Sequence, residues 1–211
     1  MTEFHKEVLD PYQFKGLASL AATLEPSRFY LGGGSALGLR LGHRKSRDLD
    51  WFDPAGLQDA PGLSARLTKV VPRFKVDEVS KGTIHASIGK LKVSLLGYSY
   101  PLLEPSESWP EGGVHIASLN DLACMKLSAV VQRGLKRDFV DLWALAEHGE
   151  GLAGLLASYK KKYKVEDEAH ILRAICYFDD AEKDPMPTML RKATWKSIKV
   201  YLARWVKNFV K

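Results

Sequence analysis

Two aspartates on alternate positions of this chain could hold a metal ion. Asp48 and Asp50 flank Leu49 in a short segment whose remaining residues are apolar. On an extended strand such side chains point to the same face, about 6–7 Å apart, where two carboxylates repel each other unless a cation lies between them. Mg²⁺ suits the pair, because it binds through one or two carboxylates and substrate phosphates. Asp48 and Asp50 are therefore predicted to bind Mg²⁺ and to activate an attacking hydroxyl.

A glycine-rich turn lies a short way before this pair. Gly33 and Gly34 allow the backbone to approach a phosphate closely. A helix that begins at Ser35 would direct free N–H groups and the positive end of its dipole at that phosphate. Gly33, Gly34 and Ser35 are therefore predicted to bind the β- and γ-phosphates of a nucleotide. Turn, hydroxyl and paired aspartates together are typical of a nucleotidyl-transfer site.

Spacing excludes two other phosphate-binding motifs. A P-loop has four residues between its glycines, followed by Lys and Ser or Thr, whereas Gly38 and Gly42 are separated by three residues and followed by His43. A dinucleotide-binding fingerprint would need glycine or alanine where this chain has Leu37.

Basic side chains occur both before and well after the aspartates. Arg44 could neutralise a triphosphate with its planar guanidinium. Lys126 lies among apolar residues of a predicted helix, and burial of an unpaired ammonium is costly. We therefore expect the triphosphate or a site carboxylate as its partner, unless the lysine extends to solvent. Asp138 and Asp141 share a helical face and could pair with Lys126, Arg133 or Arg137, or help to bind the metal. A structural acid that suits the helix dipole is the alternative for Asp138.

Two motifs of the chain resemble the bacterial AbiEii/AbiGii nucleotidyltransferase toxins, which belong to the DNA polymerase β-like superfamily. The first motif comprises residues 33–37 and 43–52, and the second comprises 121–127, Arg133 and 137–142. The resemblance implies a catalytic set formed by Asp48, Asp50, Lys126 and Asp138. It implies nucleotide-binding roles for Gly33, Gly34, Ser35, Arg44, Ser46 and Lys126.

The resemblance also implies an activity. It suggests a Mg²⁺-dependent toxin of a toxin–antitoxin or phage-defence pair, which transfers a nucleoside monophosphate from an NTP to an acceptor hydroxyl. A tRNA 3′ end would be the acceptor, and a cognate antitoxin would be the partner. Transfer to a small molecule, as in antibiotic nucleotidyltransferases, is one alternative. A nucleotide-binding module without catalysis is another, because Ser94 stands where such enzymes usually carry a third acid, unless Asp138 or Asp141 supplies it.

The surrounding elements predict an α+β fold with a mixed sheet and flanking helices, of the polymerase β-like type, followed by a C-terminal helical bundle. Strands are expected at 29–31, 49–52, 74–79, 83–88 and 91–96. Helices are expected from Asp10–Pro11 to Pro26 and at 35–41, 62–71, 118–134, 137–148, 151–163, 166–179 and 188–210. A connection rich in Pro, Ser and Gly divides the chain into an α+β domain, 1–112, and a helical domain, 113–211, that completes the active site.

The net charge of +6 is concentrated near the end of this sequence. From Met186 onward there are seven basic residues and no acidic one. Helical periodicity places four lysines opposite an apolar face, and we predict that they bind RNA, with a solvated helix face as the alternative. These lysines are Lys192, Lys196, Lys199 and Lys207.

Composition favours a protein of the reducing cytoplasm. The two cysteines have no zinc-binding spacing, and residues 1–6 show no apolar signal region. No apolar run approaches the length of a membrane span, so no membrane association is expected.

Overall fold

The computed structural model describes residues 4–25 and 28–211. Within these residues the chain forms a seven-stranded mixed sheet flanked by eight α-helices. The strands are β1 Tyr30–Gly32, β2 Asp48–Asp53, β3 Phe74–Ser80, β4 Thr83–Ile88, β5 Leu91–Gly97, β6 Glu107–Trp109 and β7 Val114–Ile116. The helices are α1 Pro11–Ala21, α2 Gly33–Leu41, α3 Ala60–Val70, α4 Leu119–Gln132, α5 Lys136–His148, α6 Leu152–Tyr163, α7 Ala169–Cys176 and α8 Trp195–Val210.

The strand that carries the two aspartates lies at the centre of the sheet. The strand order is β3-β4-β5-β2-β1-β7-β6. β2 pairs in parallel with β5 and antiparallel with β1, which places Asp50 between Ser94 and Gly32. β3, β4 and β5, which correspond to the strands expected at 74–79, 83–88 and 91–96, form a meander with tight turns at Gly82 and Gly89, whose positive φ angles suit glycine. The predicted α+β fold is confirmed.

Capping residues explain where the helices around the site begin. Pro11 opens α1, and the Gln13 side chain accepts a hydrogen bond from the Asp10 backbone N–H (2.8 Å). Ser118 caps α4 by accepting from the Asp121 N–H (3.0 Å). Helices α4 to α8 pack on one another, and one hydrophobic core continues from the sheet into this bundle. No helix of the described chain is both long and apolar enough to span a membrane.

Several element boundaries differ from those predicted. Residues 107–116, expected to be a connection, form the hairpin β6–β7, and β7 pairs with β1. A domain boundary between 112 and 113 would divide this hairpin, so the helical part begins only at α4. The helix predicted at 166–179 shortens to α7. The predicted stop of the first helix at Pro26 lies outside the described residues.

The segment before α8 is extended rather than helical, which corrects the prediction of a helix from 188. Residues 185–191, here called the strap, cross the loop 43–45. The Thr188 carbonyl accepts from the Lys45 N–H (2.8 Å), and the His43 carbonyl accepts from the Leu190 N–H (2.9 Å). Two prolines in the strap favour an extended backbone. The strap therefore brings the C-terminal part of the chain against the loop that carries Arg44.

Candidate active site

A cleft of about 780 Å³ opens beside the centre of the sheet. Its walls come from β2, β4, β5, the start of α2, the loop 43–47, helix α4 and the strap. The residues that line it include Gly33, Gly34, Arg44, Ser46, Arg47, Asp48, Asp50, Phe52, His85, Lys92, Ser94, Tyr98, Met125, Lys126, Arg133, Met186 and Thr188. Most of the predicted site residues therefore meet in one place.

Asp48 and Asp50 project into this cleft from alternate positions of β2. Both are half-buried, and neither has an ion-pair partner within 4.0 Å among the described residues. Burial raises the pKa of Asp50, and the charge of Asp48 raises it further, while Lys126 and a hydrogen bond from Ser94 oppose this. An unpaired, partly desolvated pair of carboxylate groups fits a divalent cation, so Asp48 and Asp50 would be its ligands.

Among the described residues that line the cleft, there is no third acidic side chain. The β2–β5 register places Ser94 beside Asp50, at the position where the sequence predicted a missing carboxylate. No cluster of three or more histidine, cysteine or acidic side chains suited to a metal occurs in the part of the chain that is described. Asp138 and Asp141 do not supply the third ligand, because both are fully buried and paired with cations.

The start of α2 forms the wall next to Asp50. Gly33 has φ +65°, and a side chain there would collide with the Asp50 carboxylate. A Cβ atom at Gly34 would lie 2.7 Å from Arg44 Nη2 and 3.7 Å from Lys126 Nζ. Only glycine lets the helix N-terminus approach these charged groups so closely. The N-terminus of α2 therefore lies beside two cations, as an anion site requires.

Ser35 does not line the cleft, which corrects the prediction that its hydroxyl binds phosphate. The Ser35 side chain is buried, and its hydroxyl bonds to the Asp48 carbonyl and to the Ser46 hydroxyl (2.7 Å). The hydroxyl thus fixes the start of β2 against α2. Ser46 does reach the cleft, where the loop before β2 passes.

Asp141 lies beneath the cations of the cleft and holds them in place. Its carboxylate accepts from Arg44 Nε (2.6 Å) and Nη2 (2.8 Å) and contacts Lys126 Nζ (2.7 Å) and His43 Nε2 (2.7 Å). Burial by itself would raise the pKa of Asp141, but Arg44, Lys126 and these hydrogen bonds hold it well below its usual range. Burial lowers the pKa of His43. The sequence left the role of Asp141 open.

Asp138 is a buried partner of Arg133 rather than a residue of the cleft. Its two carboxylate oxygens accept from Arg133 Nε (2.9 Å) and Nη2 (3.0 Å), and Lys126 Nζ lies 3.8 Å away. Asp138 is fully buried, whereas Arg133 is half-exposed and lines the cleft. This placement fits a positioning role for Asp138 rather than the predicted catalytic one, and Arg133, which the sequence analysis named in the second motif without assigning it to the site, is a cation of the cleft.

The four C-terminal lysines lie away from the cleft. Lys192, Lys196 and Lys207 are exposed, while Lys199 pairs with Glu182 and lies 5.6 Å from the Trp195 ring. None of the four lines the cleft among the described residues. Their predicted role in binding RNA stays a prediction.

Comparison with known proteins agrees with this geometry. The sequence profile described as "Nucleotidyl transferase AbiEii toxin, Type IV TA system" matches residues 16–107 and 99–204. An uncharacterized protein of Aquifex aeolicus (strain VF5) is 38% identical over 184 residues, which cover 86% of this chain and 88% of that protein.

Two solved structures share the fold at 18% sequence identity each. MenT4, a nucleotidyltransferase toxin from Mycobacterium tuberculosis H37Rv, superposes with a TM-score of 0.65 over 93% of this chain and 82% of its own. The antibiotic-resistance factor ANT(2'')-Ia superposes with a TM-score of 0.56 over 74% of this chain and 94% of its own. With its paired aspartates, glycine turn and cationic wall in one cleft, the chain belongs to the AbiEii nucleotidyltransferase toxin family.

Proposed function

We propose that this nucleotidyltransferase uses Mg²⁺ to transfer a nucleoside monophosphate from an NTP to the 3′ end of a tRNA. The observation that supports this most directly is the unpaired carboxylate pair, Asp48 and Asp50, which lies beside the glycine turn in one cleft with Arg44 and Lys126. Such a cleft places a site for a metal next to a site for phosphate groups. That arrangement is what transfer from a triphosphate needs.

The side chains of the cleft divide the work of binding the NTP. Bound Mg²⁺ would neutralise phosphate charge and favour the ionised form of the attacking hydroxyl. Arg44 gives Nε–H and one Nη2–H to Asp141 and one Nη1–H to the Lys45 carbonyl, which leaves two N–H donors for phosphate oxygens. The Lys126 ammonium contacts Asp141, and its remaining N–H donors are likewise left for phosphate oxygens.

These donors would hold the β- and γ-phosphates while the acceptor reacts. The acceptor hydroxyl gives up its proton to solvent, its oxygen bonds to the α-phosphorus, and the bond from that phosphorus to the oxygen that bridges to the β-phosphate breaks. Pyrophosphate then leaves toward Arg44 and Lys126, whose charges are fixed in advance by Asp141. A rigid cationic wall of this kind stabilises the charge of the leaving group without reorganisation during the reaction.

Incubation with labelled nucleotides tests the proposal. The purified chain is mixed with Mg²⁺, total RNA and each α-labelled NTP in turn, and the products are resolved on a denaturing gel. Label should appear on RNA of tRNA length with one or more NTPs, and it should be absent with Asp50→Asn. Glu147→Gln removes an exposed acid outside the cleft and serves as the charge-matched control. RNA labelling by Asp50→Asn at the wild-type rate would refute the assignment.

A small-molecule acceptor is the second candidate, and the structural similarity to ANT(2'')-Ia favours testing it. The same incubation with an RNA-free small-molecule extract separates the two, because label would then move to a low-mass product. NTP binding without any transfer would instead indicate a degenerate module, for which Ser94 in place of an acid is the supporting observation.

Toxin–antitoxin membership implies a partner protein and a cellular setting. We expect a cognate antitoxin and a cytoplasmic location, where NTPs and tRNA are available. Co-expression of the chain with candidate antitoxins, read out as rescue of growth and as loss of NTP transfer, tests this expectation.

A further inference from the structure

A second groove, of about 500 Å³, joins the active-site cleft. The two share the residues around Asp48, namely Lys45, Ser46, Arg47, Lys92 and Thr188. The groove continues outward to Asp10, Tyr12 and Lys90, none of which lines the cleft. Gly33, Gly34, Arg44 and Lys126 line only the cleft. The groove therefore leads away from the carboxylate pair and not from the phosphate-binding wall.

Basic side chains dominate this groove. Arg47 and Lys90 are exposed and have no ion-pair partner among the described residues. The Lys90 ammonium lies 4.1 Å from the centre of the Tyr12 ring, which orders the cation without neutralising it. Lys92 is 66% exposed and contacts Asp77 at the surface (3.1 Å). Lys45 pairs with Asp10 (2.9 Å).

We propose that this groove binds the phosphate backbone of a single-stranded nucleic acid and leads its terminal hydroxyl to Asp48 and Asp50. The inference rests on the proposed function, since it names the path of the acceptor in the same reaction. An NTP whose phosphates contact Arg44 and Lys126 leaves the Asp48 side of the carboxylate pair open to the acceptor. Cations spaced along a groove that ends at a reactive centre suit a chain of phosphates, because each cation can neutralise one phosphate in turn.

Binding of RNA without NTP tests the groove independently of catalysis. A fluorescent single-stranded oligoribonucleotide is titrated at low and at moderate salt with wild type and with the triple variant Arg47→Gln/Lys90→Gln/Lys92→Gln. The control variant Arg66→Gln/Lys69→Gln/Lys161→Gln removes the same number of positive charges from exposed positions outside the cleft and the groove. Melting curves of both variants verify folding.

The expected effect is a flatter dependence of affinity on salt in the groove variant. Loss of three phosphate contacts at a slope of about −0.7 each should remove about 2 from the logarithmic slope. Between about 50 and 200 mM salt, wild-type binding should then weaken about 18-fold more than binding by the groove variant. The control variant should keep the wild-type slope.

Three results would overturn the inference. One is a groove variant with the wild-type slope. Another is a loss of slope in Lys192→Gln/Lys196→Gln/Lys199→Gln/Lys207→Gln together with a normal slope in the groove variant, because the acceptor would then bind along α8. The third is polyglutamate binding that exceeds RNA binding and disappears in the groove variant, which would assign the groove to an acidic protein. If RNA is still labelled in any of these cases, the groove inference fails and the proposed function stands. If RNA binding depends on the groove but no nucleotide is transferred, the proposed function fails and the groove inference stands.

Discussion

Replacement of Asp141 by asparagine should destabilise this protein strongly, because it removes the carboxylate that two buried cations contact most closely. Asp141 is fully buried, and its carboxylate makes four contacts of 2.6–2.8 Å with Arg44, Lys126 and His43. An asparagine side chain at this position would keep the shape but remove the ion-pair partner of Arg44 and leave Lys126 with only Asp138, 3.8 Å away. Removing one member of a buried ion pair typically costs about 3–5 kcal/mol of unfolding free energy. For a chain of this size, that cost corresponds to a fall in Tm of about 6–20 °C.

Thermal unfolding and denaturant titration measure this effect directly. Glu111→Gln is the control, because it removes an acid from the exposed pair with Lys6 (2.6 Å) and should cost less than about 1 kcal/mol. The double variant Asp141→Asn/Lys126→Met should recover part of the loss, since one of the two cations is then absent. A cost for Asp141→Asn as small as that of Glu111→Gln, or strictly additive costs in the double variant, would refute the reasoning.

The pH dependence of stability gives an independent check on Asp141. Its pKa in the folded protein lies below that of an unfolded aspartate. The ionised carboxylate therefore stabilises the fold fully above the unfolded pKa, and this contribution is lost as pH falls toward the folded pKa. Asp141→Asn should make the acid side of the stability profile shallower, and an unchanged acid side would contradict the assignment.

Three further predictions concern the cleft. Asp48→Asn and Asp50→Asn should each abolish transfer, because each removes a metal ligand. The Tm should hold or rise, because a repulsion between two carboxylates is relieved. Transfer at the wild-type rate by either variant would exclude the metal-ligand role. Since burial raises the pKa of Asp50, the Tm of the wild type relative to that of Asp50→Asn should rise as pH falls through that pKa, whereas transfer by the wild type should decline there; a Tm difference that does not rise where transfer declines would contradict this. Lys126→Ala should weaken NTP binding without rescue by added Mg²⁺, whereas Asp138→Asn should mainly lower Tm, as calorimetric titration and melting curves would show.

The residues that carry the chemistry of the site could be predicted from local sequence, whereas the pairing of the buried acids that hold its cations in place could not. Asp48 and Asp50 are recognisable because a strand fixes the relation between alternate side chains, whatever surrounds it. Asp138 and Asp141 share one helix face, so the sequence could not show which cation each would meet. Their partners lie on α4, directly after α4 and on the loop before β2, and only the packing of these elements decides the pairing.

Boundaries were mispredicted where a tertiary contact outweighed local pattern. The helix predicted at 188–210 includes residues 188–191 of the strap, yet Thr194 followed by Ser197 marks the true start of α8 through a capping box. The two short strands β6 and β7 hold three residues each, too few for alternation to be visible. Ser35 looked like a phosphate ligand because a hydroxyl after glycines suits that role, and only the register of β2 shows that it serves the Asp48 backbone instead.

The strap has a consequence for how this protein is made. Arg191 donates a hydrogen bond to the Leu41 carbonyl across 150 residues of sequence (2.6 Å), and neighbouring strap residues bond to the loop that carries Arg44. A ribosome synthesises the chain from its N-terminus, so the carboxylates and the glycine turn emerge long before the segment that braces them. A nascent or truncated chain that stops before the strap would carry both family motifs and still lack the hydrogen bonds that the strap makes with residues 41–45. The loop that carries Arg44 is therefore left without this brace until nearly the whole described chain has been made.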